Sequence, residues 1–129
     1  MILDTSFLVD VLRGDESARE WEATLDESGF GVVTAISVME LWEGIHLADA
    51  TEPERDAVER LLSGLHHADL DRPAAMWAGE TSASLTREGR RIEVEDVMIG
   101  AIARQRDEPV LTRNAEDFER LPGVSVERY

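Results

Sequence analysis

Apolar residues along this chain come in short bursts, and the bursts alternate between strand-like and helix-like spacing. Met1–Leu3 is an apolar run that stops at Asp4 and reads as a short buried strand. Thr5 and Ser6 are capping residues, and the spacing after them predicts a helix to about Leu12, closed by Gly14. Glu16–Glu27 carries Trp21 and Leu25 at i, i+4 on a charged background, the pattern of a surface helix ended by Ser28 and Gly29. Phe30–Ile36 (FGVVTAI) is rich in β-branched residues and predicts a second strand. From Ser37 to about Ala50, Val38, Leu41, Trp42 and Ile45 return to one helical face. Pro53 starts another helix (PERDAVERLLSGLHH) after the break at Thr51-Glu52, so the two form an αα-hairpin.

The second half repeats the alternation. Ala68–Leu70 reads as a third, very short strand, and Pro73 begins a helix to about Arg87, ended by Gly89. Asp96–Gln105 is an apolar helix, Pro109–Leu111 a strand, Asn114–Leu121 a last helix and Val124–Val126 a fifth strand. Strands alternating with helices imply right-handed crossovers and a parallel sheet covered on both faces. No repeat, linker or low-complexity stretch interrupts the pattern, so residues 1–129 read as one domain.

Composition narrows the chemistry. With 129 residues, 43% of them apolar, the chain can bury a proper core. It has no cysteine, which excludes disulfides and thiolate metal sites. No apolar stretch approaches the roughly 18 residues of a membrane helix. The N-terminal MILDTSFLVD lacks the basic flank of a signal peptide, so a soluble cytoplasmic protein is expected. All 13 basic residues are arginine, against 28 acids, for a net charge of −15. The absence of lysine excludes a P-loop nucleotide site and Schiff-base catalysis. The acidic balance argues against broad, non-specific nucleic-acid binding. It is uneven, however: residues 1–64 hold 4 Arg against 15 acids (net −11), and residues 65–129 hold 9 against 13 (net −4). An anionic partner should meet the C-terminal half.

Four acids stand out by position. Asp4, Glu40, Asp96 and Asp117 each lie just past an apolar run, at or near the start of an amphipathic segment. Ligands of open α/β sheets bind beyond the C-terminal ends of the strands, so these carboxylates would converge there. A cluster of hard anionic oxygens calls for a cation such as Mg²⁺ or Mn²⁺. Each acid also has a purely structural reading. Asp4 and Asp96 can cap their helices, Ser37 and Glu40 have capping-box spacing, and Asn114 and Asp117 form a cap-like pair. Other candidates are weaker. His46, His66 and His67 lack metal-ligand spacing, and Ser6, Ser37 and Ser63 lack a GxSxG setting. Trp21, Trp42 and Trp77 fit apolar helix faces.

Three blocks, MILDTSFLVDVLRG, AISVMELWEGI and EDVMIGAIARQRDEPVLTRNAEDFERLPGVSV, resemble the PIN-domain ribonucleases, especially the VapC-type toxins of toxin–antitoxin pairs. The resemblance runs the length of the chain. It is most specific at the initial hydrophobic-Asp-Thr/Ser and at DxxIxA followed by LTRNxxDF. It implies a three-layer α/β/α sandwich and a metal-dependent endoribonuclease using Mg²⁺, with Mn²⁺ able to substitute. Asp4 and Asp96 would be direct metal ligands and Glu40 a third acid. The fourth position falls to Asn114 or Asp117. Thr5, Ser6 or Thr112 would position a ligand or phosphate, and Arg113 would contact substrate phosphate or form a salt bridge. The resemblance also implies a homodimer and a cognate antitoxin, with a groove walled by Ser37–Ala50 and Pro53–His67, including Trp42 and Leu61. Two other functions fit the same fold: an inactive PIN-like binding module whose acids are helix caps, and a DNA nuclease or phosphatase.

Overall fold

Neighbouring residues of a strand point to opposite faces of a sheet, and this alternation organises the molecule. The computed structural model describes residues 1–129. Its strands are β1 (Ile2–Leu3), β2 (Val32–Thr34), β3 (His66–Ala68), β4 (Val110–Leu111) and β5 (Val126–Glu127). They form one sheet in the order β3-β2-β1-β4-β5, with every pair parallel. The helices between them are α1 (Thr5–Arg13), α2 (Glu16–Ser28), α3 (Ala35–Leu47), α4 (Glu52–Ser63), α5 (Arg72–Arg87), α6 (Val94–Arg106) and α7 (Ala115–Glu119). Leu3, Val33 and Leu111 belong to one core, with Phe7, Leu8 and Val11 of α1 and residues of α2, α3 and α4. Ile2, Val32 and Val110 belong to the other, with α5, α6 and α7. The result is the expected α/β/α sandwich. Fully burying each such aliphatic or aromatic side chain contributes about 1.5–3 kcal/mol, so the two cores fix the layers.

Local chemistry sets the helix ends. Asp15 accepts from the Ala18 N–H and Asp71 from the Ala74 N–H. Thr51 and Glu54 form a reciprocal capping box ahead of α4. Gly14, at φ 83°, closes α1 in the left-handed conformation that glycine adopts without a Cβ penalty. Gly100 on α6 serves close approach: a Cβ there would lie 2.5 Å from Leu121 Cδ1.

Several expected boundaries move. The second strand is shorter than Phe30–Ile36 because Thr34, read as a β-branched strand residue, caps α3 by accepting from the Ser37 N–H at 3.3 Å. Ser37 is therefore the third residue of the helix and buried, not its cap. The third strand lies two residues earlier than Ala68–Leu70, since α4 stops at Ser63 and releases His66 and His67 into an edge strand. Both imidazoles bond to backbone carbonyls, His66 to Gly29 and His67 to Leu62. Helix α6 begins at Val94 with Glu93 in the N-cap position, which puts Asp96 inside its first turn. No helix is long and apolar enough to cross a membrane.

Candidate active site

Strand order reverses between β1 and β4, the place where open α/β sheets form a ligand crevice beyond the C-terminal strand ends. Leu3 is in register with Leu111, so the next residues out, Asp4 and Thr112, meet there. The Thr112 hydroxyl donates to Asp4 Oδ2 at 2.7 Å, and the Ser6 hydroxyl donates to the same oxygen at 2.8 Å. Asp4 occupies the N-cap position of α1, but its side chain makes no capping bond. Its carboxylate is 3% exposed and held through one oxygen.

Glu40 reaches the same crevice from the second turn of α3, where the Thr5 hydroxyl donates to its Oε1 at 2.8 Å. Since Thr34 caps this helix, Glu40 is free of the capping-box role that its spacing suggested. Burial pushes its carboxyl up; the Thr5 bond opposes this, and the charges of Asp4, Glu95 and Glu43 add to the rise. Asp96, in the first turn of α6, is pushed up to about 7. Burial is the main cause, followed by the charges of Asp4, Glu40, Asp117 and Glu95. Acids far apart in the sequence therefore act on Asp96 together, as like charges do when they crowd a partly buried carboxyl.

Asp117 is differently placed. Its Oδ1 accepts from Arg120 Nη2 at 2.7 Å and its Oδ2 from Asn114 Nδ2 at 3.0 Å. Asn114 thus serves Asp117 and makes no side-chain cap for α7, while its N–H donates to Thr112 Oγ1 at 2.8 Å. The Arg113 guanidinium forms an ion pair with Asp10 at 2.7 Å, the salt-bridge alternative of the sequence reading. Glu95, to which the motif gave no role, contributes charge to both Glu40 and Asp96. Asp10 escaped the sequence reading altogether. Its signal was an acid inside the apolar helical run FLVDV, a place where a carboxylate needs a partner.

All these donors are hard oxygens, the ligand type that Mg²⁺ and Mn²⁺ take. A dication would offset both the burial and the like charges that raise the Asp96 carboxyl. No three of the side chains stand as a finished metal cage, however. Glu40 and Asp96 are only partly buried, so their carboxylates would have room to turn toward an ion.

A parallel three-layer α/β/α sandwich defines the class of protein. The family model described as "PIN domain" matches residues 1–124, and the chain belongs to that family. Its relatives within the family are of the VapC type. The tRNA(fMet)-specific endonuclease VapC of Salmonella typhimurium is 36% identical over 97 residues, covering 75% of this chain and 74% of the relative. The Shigella flexneri protein of the same name is 28% identical over 128 residues, covering 99% and 96%. Among solved structures, DNA-bound VapBC from Salmonella typhimurium superposes with a TM-score of 0.87 at 31% identity, covering 98% of this chain and 96% of the matched one.

Proposed function

We propose that this chain is a Mg²⁺-dependent endoribonuclease, with Mn²⁺ able to substitute, and the toxin component of a toxin–antitoxin pair. The observation that carries this reading is that Asp4 and Glu40, from separate elements at the switch point of the sheet, both lie close enough to Asp96 for their charges to raise its carboxyl. In this reading Asp4, Glu40 and Asp96 hold the ion. Bound there, it would act as a Lewis acid on the phosphodiester and lower the pKa of its water. The remaining work falls to the chain itself. Thr112 and Ser6 fix Asp4 through Oδ2 and leave Oδ1 free of side-chain hydrogen bonds. Thr5 orients Glu40. Asn114 and Arg120 engage both oxygens of Asp117, which would give it a supporting role and not that of a ligand. Arg113 meets the substrate phosphate.

The helix-cap reading loses its support, because none of Asp4, Glu40 and Asp96 spends its carboxylate on a cap. An antitoxin segment would fit the apolar groove between α1, α3 and α4, a cavity of about 350 Å³ whose lining includes Val9, Leu12, Ile45 and Val58. Thr5 and Glu40 line it too, so an occupant would reach the acids. Trp42 and Leu61, expected on the groove wall, do not line this cavity. Leu61 lines cavities against α2, and Trp42 lies on a separate surface with Val38 and Met39. That surface leaves Met39 46% and Trp42 37% exposed and is the face we assign to a homodimer.

The test compares RNA, single-stranded DNA and a small phosphoester as substrates with excess Mn²⁺. Cleavage of RNA alone that disappears in Asp4→Asn and Asp96→Asn, with folding intact, supports the reading. Unchanged cleavage in both variants rejects the site.

A further inference from the structure

We propose that Asp10 and Tyr129 form a positioning clamp that holds the Arg113 guanidinium at the rim of the acidic crevice, with one edge free for an RNA phosphate. The inference rests on the ribonuclease reading above. Asp10 lies on the buried face of α1 and is 6% exposed, so its charge must be matched. It accepts two bonds from a single nitrogen, Arg113 Nη1, at 2.7 and 2.8 Å. The Tyr129 hydroxyl donates to Asp10 Oδ2. The Tyr129 ring stands edge-on to Phe7, centroids 5.2 Å apart, which fixes the approach of that hydroxyl.

Since Asp10 takes only Nη1, the Nε–Nη2 edge of Arg113 carries no bond to the protein, and the side chain is 59% exposed. That edge presents two parallel N–H donors, the fork that matches a phosphate. The clamp is also tied to the acids. The Arg113 N–H donates to Ser6 Oγ at 3.3 Å, and Ser6 Oγ donates to Asp4. An arginine already held in one orientation loses less conformational freedom on binding than one on a free tether. In a chain of net charge −15, an oriented cation beside the acids gives a polyanion a fixed place to land.

The experiment measures kcat and KM of the full chain on a fluorogenic single-stranded RNA oligonucleotide with Mn²⁺, alongside Mn²⁺ affinity by calorimetry. The variants are Asp10→Asn, Arg113→Ala, Arg113→Lys, Tyr129→Phe and the double variant Asp10→Asn with Arg113→Ala. The expected result is a KM raised about 5–10-fold by Asp10→Asn and by Arg113→Ala, with no further rise in the double variant. Arg113→Lys should fail to restore KM, because an ammonium cannot bridge Asp10 and a phosphate with separate edges. Tyr129→Phe keeps the ring on Phe7 and should raise KM about 2–3-fold, less than losing the ion pair. Mn²⁺ affinity should not move, and the losses should fall on KM and not on kcat. A folded Asp10→Asn with wild-type KM, or losses that add in the double variant, would overturn the clamp. If the wild-type chain cleaves no RNA, the ribonuclease reading fails first, and the clamp falls with it.

Discussion

Thr112 donates its hydroxyl proton to Asp4 Oδ2 across the β1–β4 pair, and neither residue is more than 3% exposed. The bond follows from strand register, because Leu3 opposite Leu111 leaves Asp4 and Thr112 as the next pair. Ser6 shares the same oxygen. Partners of this kind hold a ligating carboxylate in its working orientation, and losing one typically costs 10- to 100-fold in metal affinity. Thr112→Val keeps the shape and removes the hydroxyl. Mn²⁺ affinity measured by calorimetry should fall about 10-fold or more, and the variant should lose about 1–3 kcal/mol of stability. An unchanged isotherm would make the hydroxyl purely structural.

The raised carboxyl of Asp96 sets a pH dependence. Folded, it keeps its proton to about pH 7; the ordinary value is 3.8. Between these values the folded chain binds more protons than the unfolded one, so metal-free stability falls as pH rises through the window. Below it both states are protonated and the difference vanishes. Asp96→Asn should therefore melt higher than wild type at pH 8 without metal, by about 1–2 kcal/mol once solvent screening is discounted. At pH 3 the two should melt alike. Excess Mn²⁺ should stabilise the wild type more than the variant at pH 8 and so narrow or reverse the difference, because the wild-type site binds the ion more tightly. Thermal denaturation at the two pH values, with and without Mn²⁺, checks all three statements.

Gly100 offers a test of the fold apart from the chemistry. An added Cβ would meet Leu121 Cδ1 at 2.5 Å and Val124 Cγ2 at 3.6 Å, and Leu121 is itself buried. Overpacking of this kind costs about 1–3 kcal/mol. Gly100→Ala should therefore be destabilised in urea denaturation, even though alanine is the better helix former.

Much of the layout was legible because strand period and helix period are physically different signals. The pairs Ile2/Leu3, Val32/Val33 and Val110/Leu111 announced a sheet buried on both faces, and Pro53 after the break at Thr51-Glu52 announced α4. The errors fell where one residue serves two roles. Thr34 is β-branched and ends a strand, yet its hydroxyl starts α3, so Ser37 looked like a cap and Glu40 like its partner. Asp96 looked like an N-cap because the preceding Glu93-Val94-Glu95 carries no turn signal. Within the site, the motifs picked out Asp4, Glu40 and Asp96. The roles of Asp10 and Arg120 were not legible, because they depend on partners up to 119 residues away or on side-chain direction around α7. Pairing across such distances leaves no local pattern.

The most direct measurement is Mn²⁺ titration calorimetry of the wild-type chain against Asp4→Asn, Glu40→Gln and Asp96→Asn, each first shown to be folded. If these carboxylates share one dication, the wild type binds it and each variant binds it at least about 10-fold more weakly. Four superimposable isotherms would contradict the shared site and leave the acids without a common ligand.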